Sequence, residues 1–249
     1  MSHSTASPLR RVGVATGLTV LGVVLSVLLS LPVVFVQFDA LTQFVASFVL
    51  SELGFVAAAL VFLRATSRGV DYLRIRAPDA RALGIVVGGT VALFAFRLVA
   101  ILAAQALGLP LAGNSVTQLA EEGYLLTLLL LVPLSVLVVG PAEELLFRGI
   151  IQRYLDDALS TAPAVVLTSV LFALVHVPTT VIATPDVVAV SVTLVILFGL
   201  SLLLGYLYAW TDNLVVPVLV HGFYDALIFG LAYWALSSGM VEMAASTPL

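Results

Sequence analysis

Residues 124–149 read "YLLTLLLLVPLSVLVVGPAEELLFRG". From Tyr124 to Gly140 there is no charge, and with the residues that follow, the run exceeds the about 20 residues a helix needs to cross about 30 Å of hydrocarbon. Glu143, Glu144 and Arg148 stand at its end. Continuous apolar runs that do not alternate are transmembrane helices rather than barrel strands. Seven runs of this kind are predicted, at 12–38, 43–63, 83–107, 124–155, 163–182, 187–210 and 214–236. The first is long enough to hide a break at Leu31-Pro32. The expected fold is therefore all-α, a polytopic transmembrane helical bundle of 7–8 spans.

Composition agrees. The 249 residues are 61% hydrophobic and 10% charged, with a mean hydropathy of +1.19. A soluble domain is nearer a quarter charged. With so little sequence outside the spans, residues 1–249 read as a single membrane domain. There is no cysteine, which removes disulfides, thiolate metal sites and a cysteine nucleophile. The net charge of −4 argues against nucleic acid as a partner. All ten basic residues are arginine; with the alanine and valine richness and a pI near 5.2, this suggests a prokaryotic source.

Arginine placement predicts orientation. Arg10 and Arg11 precede the first span, Arg64, Arg68, Arg74, Arg76 and Arg81 surround the second connection, and Arg148 and Arg153 lie near the fourth. The other connections and the C-terminus carry acids, such as Asp39, Glu121, Glu122, Asp186 and Glu242, apart from the short turn at Asp212. A cytoplasmic N-terminus puts every arginine cluster inside. The opening "MSHSTASPLRR" lacks a convincing cleavage site after it, so the first run reads as a retained span. The stretch "RATSRGVDYLRIRAPDAR" (64–81) is either a plain cytoplasmic loop or an interfacial helix touching anionic lipid.

Ionisable residues inside spans cost about 2.5–3.5 kcal/mol each on insertion scales, so each needs a reason. They are Glu52, Arg97, Glu143, Glu144, Arg148, His176, His221 and Asp225. Glu144 and Arg148 are four apart and can pair on one helix face. Glu143 is turned about 100° from Glu144 and stays free to exchange protons as a general base. Phe172 shares a face with His176, and His221 with Asp225. Of the three histidines, only His3 lies outside the spans. If the fourth and fifth runs form a hairpin turning near residues 159 and 160, Glu143 and His176 reach similar depth. His221 and Asp225 stand about 10–18 Å up the last helix at about 1.5 Å per residue, close to that level. Glu52 and Arg97 are expected to pair with each other across a helix interface as structural groups.

The motifs "EELLFR" (143–148), "FALVH" (172–176) and "HGFYD" (221–225), in that order on separate spans, resemble those of the CPBP family. That family contains the type II CAAX prenyl endopeptidases and the bacteriocin-processing or immunity (Abi) proteins. The resemblance covers 124–236, leaving 1–123 as N-terminal spans and a loop. It implies an intramembrane endopeptidase acting on a membrane-associated peptide or protein, embedded in the lipid bilayer of the plasma membrane. By carry-over, Glu143 with His176 activates water, and Glu144, held by Arg148, supports them beside Phe172. His221 with residue 225 stabilises the oxyanion. The prenyl endopeptidases have Asn at that last position; Asp225 stands here, and an ionised carboxylate repels an oxyanion, so His221 carries more of the donor role.

Glu143, His176, His221 and Asp225 also form a conceivable zinc ligand set. There is no H-E-x-x-H motif, and the favoured mechanism needs no cofactor. Two other classes stay open: a proton-coupled carrier, since such residues also build relays, and a catalytically silent member that binds a peptide. Nothing in the sequence sets the oligomeric state.

Overall fold

The computed structural model describes residues 7–113 and 125–238; of the residues named above, His3, Glu121, Glu122, Tyr124 and Glu242 lie outside them. Among the described residues all regular structure is helical, and seven helices are long and apolar enough to span a membrane. They are α1 (Pro8–Phe35), α2 (Ala40–Ala65), α3 (Ala80–Ala106), α4 (Leu125–Asp156), α5 (Thr161–Ala183), α6 (Val187–Thr211) and α7 (Val215–Ser237). This is an integral membrane protein. The possible eighth span is absent from the first run: at Leu31-Pro32 α1 tightens into a 3-10 turn, Leu31–Phe35, and then ends.

Local chemistry sets the helix starts. Asp39, Asp79 and Asp186 each accept a backbone N–H from the first turn of α2, α3 and α6, supplying partners that a helix N-terminus lacks. On α3, Val87, Val91, Leu98, Val99 and Leu102 are exposed, as side chains facing lipid are. α4 is the most buried span, and Leu146, Phe147, Ile150, Ile151 and Leu155 along it have no exposed surface.

Two helices carry irregularities that matter for the polar residues. Pro133 and Pro141 lie inside α4 and cannot donate to the carbonyls one turn back. The helix stays continuous but widens into π turns at Ser135–Val139 and Leu145–Gln152, on either side of Gly140–Glu144. Such π turns are frequent at functional sites, because they re-aim the side chains beside them. α5 is interrupted at His176, the joint between Thr161–Val175 and Val177–Ala183. Pro178 has no N–H for the Leu174 carbonyl, so the first piece stops there.

α7 crosses α4 at two glycines. A Cβ on Gly140 would lie 2.6 Å from the Val218 carbonyl oxygen, and one on Gly222 would lie 2.8 Å from Cα of Val136 and 2.9 Å from the Ser135 oxygen. These obstacles are backbone and cannot rotate away. Small residues let membrane helices approach this closely. Gly222→Ala is therefore expected to destabilise the protein by about 1–3 kcal/mol, as overpacking does. Thermal unfolding of the detergent-solubilised variant checks this, and an unchanged midpoint would contradict the close crossing.

The 66–79 connection is a loop strapped to the protein, with one 3-10 turn at Val70–Leu73, and not an interfacial helix. Arg74 and Arg76 both pair with Asp212, and the Asn213 side chain bonds the backbone of Arg76 in both directions at 3.1 Å. Arg11 and Arg68 share Asp157 at 3.4 and 3.6 Å. Arg68 also lies 4.2 Å over the Tyr72 ring. Burial pushes the Tyr72 phenol above its ordinary pKa, with the Arg68 charge opposing. These arginines are engaged by the protein's own acids and rings, which leaves less of their charge for lipid.

Candidate active site

Glu144 and Arg148 are the centre of the polar cluster, and both are 0% exposed. Arg148 donates from Nη1 to Glu144 Oε1 at 2.8 Å, the predicted pairing four residues apart. Its Nη2 donates to Ser201 on α6, to the hydroxyl at 2.8 Å and the carbonyl at 3.0 Å. The guanidinium lies 5.0 Å over the Phe172 ring. One turn along, Gln152 Nε2 donates to the Gly205 carbonyl at 2.9 Å. Arg148 is thus fixed from three sides, which makes a charge at this depth tolerable.

Glu144 Oε1 accepts a second bond, from His221 Nδ1 at 2.8 Å. This bond fixes the α7 histidine from α4. With Nδ1 held, His221 turns Nε2 to Asp225 Oδ2 at 3.3 Å and to Glu143 Oε2 at 3.7 Å. His176 is fixed independently. Its Nδ1 lies 2.8 Å from the Phe172 carbonyl, and a carbonyl only accepts, so Nδ1 carries the hydrogen and Nε2 is free. That Nε2 lies 4.0 Å from Glu143 Oε1. His176 stands at the joint between the two pieces of α5, with its backbone still in the right-handed helical region.

Glu143 therefore stands between two imidazoles, each of its oxygens facing one Nε2. Both separations exceed a hydrogen bond and are short enough for one water to bond both sides. Phe172 packs between the histidines, 4.9 Å from the His176 ring and 6.1 Å from that of His221. All seven residues singled out from the three motifs, Glu143, Glu144, Arg148, Phe172, His176, His221 and Asp225, fall in this one cluster. Among the described residues no group of three or more His, Cys, Asp or Glu is arranged to hold a metal ion.

The expected pairing of Glu52 with Arg97 does not occur. Arg97 Nη1 donates to the Tyr224 hydroxyl at 3.2 Å, joining α3 to α7. Glu52 is buried on α2, and the charges acting on it are those of Glu143, His221 and Asp225. It belongs to the cluster, and sequence reasoning missed it because it stands outside any motif. Ser201 and Gln152 were missed too: uncharged residues in apolar helices give no signal until their partners are known.

No curated protein and no solved structure matches the chain. Residues 125–238, α4 through α7 and every motif residue of the cluster, match the model of the family described as type II CAAX prenyl endopeptidase Rce1-like, and over that stretch the chain is similar to this family.

Proposed function

We propose that this protein is an intramembrane endopeptidase that hydrolyses a peptide bond of a membrane-associated peptide or protein. The observation that carries this reading is Glu143 standing between the Nε2 atoms of His176 and His221. Peptide hydrolysis needs a base for water, a donor for the oxyanion and a proton for the leaving nitrogen. Glu143, with His176, takes a proton from a water held between them, and the resulting hydroxide attacks the scissile carbonyl carbon. The carbonyl oxygen becomes an oxyanion. His221 faces carboxylates with both ring nitrogens, a setting that suits an imidazolium, and its Nε2–H is the oxyanion donor. Asp225, an acid where asparagine would itself donate, is a positioning residue that aims His221. Glu144 and Arg148 hold the other side of that ring. The carbon–nitrogen bond then breaks, and the amine leaves with a proton supplied by the same cluster.

The substrate arrives from the bilayer. An apolar cleft of about 480 Å³ between α2 and α4, lined by Leu41, Val45, Val49, Leu50 and Leu130, supports lateral entry. The arginines at one end of the bundle support a cytoplasmic N-terminus in a plasma membrane, here of a prokaryotic cell. The reading needs no metal, so chelator is expected to leave cleavage unchanged.

A comparison of membrane-protein termini in cells carrying wild-type or Glu143→Ala protein tests the proposal. New termini that depend on Glu143 are expected, within or close to membrane segments. Identical sets of termini in the two cell lines would refute the reading.

A further inference from the structure

Glu52 is the one buried acid of the described spans that the mechanism leaves without a task. It is 8% exposed, and its Oε2 has no hydrogen-bond partner. Its helix is in register with the site. Phe55 packs on Phe147 with ring centroids 6.0 Å apart and Phe62 on Tyr154 at 5.3 Å, pairs with the same sequence offset. α2 therefore runs parallel to α4, and Glu52 comes level with Glu143 and Glu144. Val45 and Val49, on the same face of α2 one and two turns earlier, line the apolar cleft. Glu52 thus stands where that cleft's α2 wall reaches the cluster.

The groups around it define what it can do. From α4 the charge of Glu143 acts on it, and from α7 those of His221 and Asp225; Glu144, next to Glu143 in the chain, is paired with Arg148. α1, also packed on α2, has no ionisable residue in its span beyond Arg11. Arg148 is committed to Glu144 and Ser201. Unpartnered buried oxygens belong to Glu52, Glu143 and Glu144 alike. Carboxyls outnumber the cations free to pair with them, and such a group is accommodated by keeping a proton on one member. Hydrolysis leaves one such task unassigned, the proton for the leaving nitrogen.

We propose that Glu52 is a catalytic residue of this site, the general acid that protonates the leaving amine. The inference rests on the endopeptidase reading. Glu143 takes the proton of the attacking water as the carbon–oxygen bond forms. Glu52 gives its own proton to the nitrogen as the carbon–nitrogen bond breaks, and the electron pair of that bond stays on nitrogen. The cycle closes when the proton on Glu143 passes to Glu52, directly or through a water. Base and acid are then two carboxyls on two parallel helices, and neither needs to reach both sides of the scissile bond.

The test uses the full chain in lipid nanodiscs with a membrane-anchored peptide reporter. Glu52→Gln keeps the shape and removes the transferable proton, so kcat should fall about 10²-fold or more with KM unchanged. An acid works only while protonated, so Glu52 adds its own decline of activity at rising pH to that of the His221 imidazolium; the alkaline limb of the residual activity should therefore be displaced in the Gln variant. Glu52→Asp, which serves also if the Gln variant does not fold, should keep the limb at a displaced position with reduced kcat. An active wild type with an unchanged kcat in Glu52→Gln overturns this inference alone. So does a slowed Gln or Asp variant whose alkaline limb stays at the wild-type position. A wild type inactive on reporters of varied sequence overturns the endopeptidase reading and this inference with it.

Discussion

Glu143→Gln is expected to lower peptide cleavage by about 10²–10⁴-fold, the range that general-base catalysis contributes. The amide matches the carboxylate in size, so the packing of α4 against α5 and α7 survives and the protein remains folded in membranes. What it cannot do is take a proton from water. His176 does not replace it: the hydrogen on its Nδ1 is held by the Phe172 carbonyl, and its Nε2 works on a water that Glu143 must share. His176→Ala should therefore lose activity to a similar degree while leaving the bond between Glu144 and His221 intact. Turnover of a membrane-anchored reporter, measured beside size-exclusion and melting profiles, checks both. A well-folded Glu143→Gln protein with near wild-type turnover would remove Glu143 from the chemistry.

Arg148→Met should have the largest effect on stability, about 3–5 kcal/mol, because it leaves the fully buried Glu144 without its cation. The loss spreads. Ser201 on α6 loses its donor, and Glu144 is no longer held where His221 Nδ1 meets it. Activity should fall even in whatever fraction remains folded. Arg148→Lys is not a mild change, since one ammonium cannot reproduce a planar fork that bonds Glu144 and Ser201 together. Adding Glu144→Gln to Arg148→Met removes the stranded charge, so the double variant should recover much of the stability without recovering activity. Thermal unfolding across the four proteins of this cycle isolates the pair's coupling. A double variant no more stable than Arg148→Met would show that the destabilisation comes from lost packing and not from the buried carboxylate.

Some of these contacts were legible before any fold was known. Arg148 and Glu144 are four residues apart, and a helix brings such positions together whatever surrounds it. The hairpin of α4 and α5 put Glu143 and His176 at one depth for a similar reason: a tight connection and a fixed rise per residue leave little freedom. The hydrogen bond from His221 to Glu144 was not legible, since it joins helices far apart in the chain. Its geometry rests on Gly140 and Gly222 letting two backbones touch. The Glu52 expectation failed on the same ground. Charge complementarity suggested Arg97 as its partner, but which face a helix turns inward depends on its neighbours, and α3 turned Arg97 to Tyr224 instead.

By itself, then, the sequence determined that this chain is a bundle of seven or eight apolar helices and which of them carry reactive groups. Burial of backbone in hydrocarbon permits few architectures, and length counts the spans to within the one break at Leu31-Pro32, which the structure made a 3-10 turn. Only the tertiary structure decided which nitrogen of each histidine faces Glu143, that Glu144 positions His221 across the α4–α7 crossing, and that Glu52 joins the cluster from α2. Those outcomes depend on helix rotation, on π turns in α4 and on close backbone approach. Nearly every side chain in these helices is apolar, so hydropathy does not mark the face that turns inward.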